Sequence, residues 1–168
     1  MSPLPRHSPA LTAYLNLLGE RQGRTSVARA TEVSRWAGDI AEELSWSPLK
    51  RERLRGAALL FALQGSLSGS DSSRALEEIE LLAGVLDDEQ TEWVRFGHER
   101  WGGGGLEGLA GAQIPDGARV IALADTWVTL LGRDDGTGNV AIAVCWRDAG
   151  YILWPDAVRA LTRLRTRA

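Results

Sequence analysis

Four consecutive glycines, Gly102 to Gly105, stand between two segments whose apolar residues recur at helical spacing, and no other feature restricts the chain more. Glycine brings no side chain to pack and loses the most backbone entropy on ordering, so neither a helix nor a strand continues through such a run. The chain must turn here, between Trp93, Val94 and Phe96 on one side and Val120, Ile121, Leu123, Ala124, Trp127, Leu130 and Leu131 on the other. The stretch from Gly97 to Leu131 opens beside one of only two histidines, His98, and its closing apolar segment carries one acid, Asp125. A glycine-rich loop in that setting is where backbone meets a ligand or a metal-bound substrate; a plain connecting loop is the competing reading.

The helical period recurs along the chain. Residues 1 to 9 contain three prolines and little apolar content, so residues 1–8 read as a loose lead-in, and His7 falls within it. Leu11, Tyr14, Leu15, Leu17 and Leu18 predict a first helix over Pro9 to Gln22, stopped by Gly23. A second covers Thr25 to Leu44 through Val27, Ala30, Val33, Ala37, Ile40 and Ala41. Ser47-Pro48 caps a third, running to about Leu63. The linker Gly65 to Ser73 precedes a fourth over roughly Ser73 to Val85, with Asp71 and Ser72 as candidate caps. Asp87 and Asp88 introduce a fifth over Glu89 to Trp101, and Pro115 or Asp116 a sixth ending at Leu131. A seventh ends near Gly150, and Trp154-Pro155-Asp156 opens the last, Ala157 to about Arg165. Val140 to Trp146 is short enough to be a buried strand, but without a second strand signal helix is preferred. The fold class is all-α, a bundle of seven or eight helices, with residues 9–168 forming a single domain.

A formal charge of -3 gives no basic excess of the kind nucleic-acid binders carry. Arg159, Arg163, Arg165 and Arg167 read as the solvated face of the last helix. Cys145, the single cysteine, lies in an apolar run and reads as a buried structural thiol. Neither an apolar span of membrane length nor a secretory pattern is evident, so a cytoplasmic location without membrane contact is expected. The seven tryptophans are scattered and read as core and helix-contact residues.

His98, Glu99, Arg100, Trp101, Gly103, Gly105, Gly108, Leu109, Gly111, Ile114, Pro115, Ala118, Arg119, Ala124 and Asp125 together resemble the signature of the HD-GYP domain family, with one residue deleted in the loop. The resemblance implies an all-helical HD-type domain. It also implies, for active members, a cluster of iron or manganese ions held by histidines and aspartates that cuts cyclic di-GMP.

This chain departs from the family where that chemistry would sit. Arg29 takes the position of the first histidine, in a stretch from Arg29 to Ala37 otherwise like the family's. Leu54, Arg55, Ala57, Ala58, Leu59 and Leu60 lead, as in the family, to the name-giving His-Asp pair, but Phe61-Ala62 stands there instead. Gly65 falls near the expected lysine, and the span from Ala62 to Gly97 is shortened and holds no histidine. Gly97 replaces the first of two histidines, Gly102 an aspartate and Leu106 a tyrosine; the proline after it is deleted. A cluster of divalent ions needs several imidazole and carboxylate donors, and a guanidinium repels metal.

His98 and Asp125 are the surviving ligand-type residues, and no metal is expected on them; a hydrogen-bonded structural contact between the two is the preferred reading. Glu99 and Arg100 are expected to complete a polar network under the loop. No cofactor and no catalytic residue is expected, since the glycine run lacks the Lys-Ser/Thr ending of a phosphate loop and no serine or cysteine has a catalytic context.

The reading is a catalytically inactive HD-GYP-like domain kept as a binding or protein-interaction module in bacterial signalling of the cyclic di-GMP type. Candidate ligand-binding residues are Arg29, His98, Glu99, Arg100, Gly103, Gly105 and Arg119. The expected partner is a signalling protein or a cyclic dinucleotide, with a homodimer also open. The alternatives are a phosphodiesterase with a reduced site on His98, Glu99 and Asp125, and a structural dimerisation domain using the tryptophans and the sixth helix.

Overall fold

The computed structural model describes residues 24–65, 85–134 and 136–167. Six α-helices account for most of them: α1 (Arg24–Glu43), α2 (Pro48–Gly65), α3 (Asp88–Arg95), α4 (Asp116–Leu131), α5 (Asn139–Asp148) and α6 (Pro155–Arg167). A 3-10 turn, Gly111–Gln113, precedes α4. No strand occurs among the described residues, and the run 140–146 belongs to α5, so the fold is all-α. The expected helices over 9–22 and 73–85 lie outside the described residues, except that Val85 sits in the turn before α3. The lead-in with His7, and Asp71 and Ser72, lie outside them too, while Gly65 closes α2.

The order of burial explains the packing. The first half of α2 is charged, but from Ala57 through Leu63 every residue is buried, so that half is surrounded on all sides. Helix α4 buries Val120, Ile121, Leu123, Ala124 and Trp127 and is packed by α1, α2, α3, α5 and α6. Trp36 of α1 meets Trp127 edge to face at 5.5 Å, a geometry that the ring quadrupoles favour. Trp93 and Trp127 are both 1% exposed, so these two rings are spent in the core.

The ends of the helices follow local chemistry. Asp87 accepts the Gln90 amide at 2.9 Å while the Gln90 side chain accepts the Asp87 amide at 3.2 Å, a reciprocal cap. Arg53 grips the same carboxylate at 2.9 and 2.7 Å and holds its pKa below the usual range. Helix α3 stops at Arg95, not at Trp101 as the periodicity suggested. Phe96 leaves the helical region at φ -93° and ψ 7°, and the chain turns immediately at Gly97. The reason is tertiary: residues 97–99 are needed for contacts with α2 and with the loop, described below.

The arginines of α6 are tied down more than a solvated face would be. Arg163 and Arg167 both donate to Glu43 at the end of α1, and Arg165 lies over the Trp127 ring while donating to the Thr137 carbonyl at 2.7 Å. Cys145 is fully buried and its thiol is pushed up to about 11, which keeps it protonated and unreactive at neutral pH.

Gly117, in the first turn of α4, lies against Trp93; a Cβ there would come within 2.3 Å of the indole. Neither the rigid ring nor the buried turn can yield cheaply. Gly117→Ala is therefore expected to destabilise the fold by about 1–3 kcal/mol, despite alanine's better helix propensity. Denaturant unfolding followed by tryptophan fluorescence checks this, and an unchanged or raised midpoint would contradict the packing.

Candidate functional site

Arg29, in the second turn of α1, and Asp125, in the middle of α4, are brought face to face by the α1–α4 contact. The Arg29 Nη2 donates to Asp125 Oδ1 at 2.7 Å and to Thr129 Oγ1 at 2.8 Å. Thr129 stands one turn beyond Asp125, and its hydroxyl also donates to the Asp125 carbonyl at 2.8 Å. The guanidinium thus lies directly on Asp125, the carboxylate that survives at a ligand position of the motif. Both side chains keep about a third of their surface in solvent, 33% and 30%, so the pair contributes roughly 1 kcal/mol or less. Its larger consequence is local neutrality.

The second half of the site is steric. Phe61 is 4% exposed, and its ring lies where a side chain on residue 97 would go: a Cβ on Gly97 would fall 2.4 Å from Cε2 and 2.8 Å from Cδ2. The same ring packs on His98, with centroids 4.6 Å apart and planes at 40°. His98 keeps an exposed edge, yet burial against this aromatic surface pushes its pKa below the usual histidine range. The nearby charge of Asp125 offsets part of that. At neutral pH the imidazole is uncharged. The expected His98–Asp125 hydrogen bond does not form, because Asp125 is taken by Arg29 and Thr129 and His98 faces Phe61.

Glu99 is 5% exposed and points into the loop, accepting the amides of Glu107 at 2.7 Å and Leu109 at 2.8 Å. Gly105 passes directly over it; a Cβ would lie 2.6 Å from Oε1. Gly103 has φ +91°, a conformation that side chains disfavour. The amides of Trp101 and Gly102 donate to the carbonyls of Ile152 and Tyr151, at 3.0 and 2.8 Å, fastening the loop to the turn before α6. Arg119 lies over the Trp101 and Trp154 rings, at 5.4 and 5.1 Å, and donates to Ile114 O and Ala112 O at 2.6 and 2.9 Å. Arg100, by contrast, is exposed, takes no part in the Glu99 network and has no side-chain partner among the described residues.

The structure therefore divides the sequence candidates into two groups. Arg29 pairs with Asp125, whose charge reaches His98 on the Phe61 ring, whereas Glu99, Gly103, Gly105 and Arg119 build the loop. Thr129, which sequence reasoning did not single out, completes the first group; its signal was the spacing of four from Asp125 on a helix.

A transition-metal centre needs converging donors with free lone pairs. Phe61 and Ala62 offer none, Gly97 has no side chain, Asp125 is covered by a cation, and Glu99 is turned away into the loop. Among the described residues no three His, Cys, Asp or Glu side chains group in a way that could hold a metal ion. The described residues do not fit the metal cluster that the resemblance implies for active members, and His98, Glu99 and Asp125 do not converge as a reduced site would require.

No family model matches the chain. It is similar to the cyclic di-GMP phosphodiesterase response regulator RpfG of Xanthomonas campestris pv. campestris (strain 8004), with 27% identity over 95% of this chain. The alignment takes in 48% of that protein, so the chain spans about half the length of this curated relative. The distant similarity agrees with the HD-GYP resemblance of the motif and with a relation to cyclic di-GMP signalling proteins. No helix among the described residues is long and apolar enough to cross a membrane.

Two outcomes follow from the packing around Phe61. Gly97→Ala is expected to cost about 1–3 kcal/mol of stability in the wild-type background and much less in a Phe61→Ala background, where the ring that it strikes is gone. A double-mutant cycle by denaturant unfolding measures that coupling, and simple additivity would contradict the contact. The second concerns pH. The unfolded chain takes up the His98 proton near the ordinary value of 6.5 and the folded chain only at lower pH, so protons favour unfolding between the two. Stability is full above the unfolded value and declines as pH falls through this window. His98→Phe keeps the ring contact and should flatten that decline, read as the Tm difference between about pH 7.5 and 5.5; identical slopes in both proteins would count against it.

Proposed function

We propose that this chain is an HD-GYP-like domain that does not hydrolyse cyclic di-GMP and works by binding, as a module of bacterial cyclic di-GMP signalling. The observation that carries this reading is the way the site is filled. Phe61 lies over Gly97 and against His98, while the Arg29 guanidinium sits on Asp125. Hydrolysis of a phosphodiester by the metal-dependent route requires cations that polarise the phosphate and a bound water whose pKa they lower. An apolar ring and a permanently charged arginine supply neither a coordination position nor a base.

The distant similarity to a cyclic di-GMP phosphodiesterase regulator supports the signalling setting. Retention of the loop supports a binding role: Glu99, Arg119 and the two tryptophans fasten it through contacts within the protein. The module would act on a cyclic dinucleotide or on a signalling protein that recognises this preformed surface.

The test is to incubate the purified protein with cyclic di-GMP and either manganese or iron(II), separating linear product chromatographically. The expected outcome is no product above a protein-free control. Metal-dependent formation of linear dinucleotide by the wild-type chain would refute the reading.

A further inference from the structure

An open groove of about 510 Å³ runs between the early turns of α1 and the end of α4. Ala28, Arg29 and Glu32 line it from one side, and Val128, Thr129 and Arg133 from the other. Its volume falls within the range of small-molecule sites, roughly 300–1,000 Å³. Most of its wall is apolar, so the placement of charge decides what it would hold.

The charges can be followed one by one. Arg29 uses Nη2 for Asp125 and Thr129, and its Nε and Nη1 have no partner among the described residues. Asp125 is thereby neutralised. Glu32 is drawn to Arg35, which donates to it at 2.8 Å from Nη2 and also reaches Asp39 at 3.1 Å. Arg133 is exposed just past the end of α4, and its guanidinium has no partner among the described residues. The wall therefore carries one uncompensated positive charge at Arg133 and unused donors on Arg29. Guanidinium forks match the oxygens of phosphate in geometry and charge.

We infer that this groove is a binding site for a small phosphate ester, with the phosphate held by Arg133 and the free side of Arg29 and the apolar body of the ligand lying along Ala28 and Val128. The arrangement inverts the division expected from a metal site. Arg29 serves inward as the counter-ion of Asp125 and outward as an anion donor, and Arg133 supplies the charge that Arg29 has already spent. The assignment stands whether or not the chain hydrolyses cyclic di-GMP, because it involves binding alone.

The test is titration of the full chain with guanosine 5′-monophosphate and, separately, with inorganic phosphate, followed by amide and arginine Nε–H signals in NMR. Saturable shifts are expected at Thr129, Gly132, Arg133 and the Arg29 Nε–H, with the nucleotide binding more tightly than phosphate because it also covers the apolar wall. Arg133→Gln should weaken both by tenfold or more, while Arg147→Gln, at an exposed arginine outside the groove, should leave them unchanged. Shifts spread over all exposed arginines, insensitivity to Arg133→Gln, or no saturable shift with either probe would overturn the assignment.

Discussion

The contact on which the site depends is the ring of Phe61 against the bare backbone of Gly97. Because the second half of α2 is buried on every side, Phe61 cannot turn outward, and the neighbouring chain must accommodate it. Only a glycine allows the backbone to pass that close, since any Cβ would meet the ring well inside contact distance. The turn that ends α3 is placed by this contact, and with it the orientation of His98 and the start of the loop. The ring fills the space beside residue 97 as part of the apolar core.

The charge balance completes what the packing begins. A buried or half-buried carboxylate without a cation is costly, so loss of metal ligands would leave Asp125 exposed to that cost. Arg29 removes it from a neighbouring helix, with Thr129 holding the geometry. A guanidinium differs from a divalent metal in one decisive respect: it has no vacant orbital with which to activate water or a phosphate oxygen. It can neutralise and hold an anion. It cannot generate the metal-bound hydroxide that would attack one.

Much of the fold was legible in the sequence because apolar period and helix caps are local signals. The bounds of α1, α2 and α4 agree with the periodicity to within a residue or two, and Asp87 does cap its helix. The end of α3 was not legible, since Gly97, His98 and Glu99 leave the helix to satisfy partners far away in sequence: Phe61, and the amides of Glu107 and Leu109. The same holds for the ion pair. Arg29 was recognisable as a misfit at a ligand position, but that its charge lands on Asp125, 96 residues away, is a property of the α1–α4 packing alone.

The survival of the glycine signature acquires a different meaning in this light. Glycines in a loop are easily read as the trace of a ligand that approaches the backbone. Here the glycines have reasons within the protein: at Gly105 the Glu99 carboxylate excludes a side chain, and Gly103, Gly108 and Gly111 take positive φ, while at the departures Gly97 and Gly102 a side chain would strike Phe61 or crowd the Tyr151 carbonyl. Glu99 in turn is fixed by the loop amides, and the loop by the stacked Trp101 and Trp154 with Arg119 beside both rings. These contacts close on one another without a metal or a substrate. The loop can therefore keep its shape through contacts within the protein, and the glycines shared with the signature are evidence for the architecture, while the departures from it lie in Arg29, Phe61, Ala62 and Gly97.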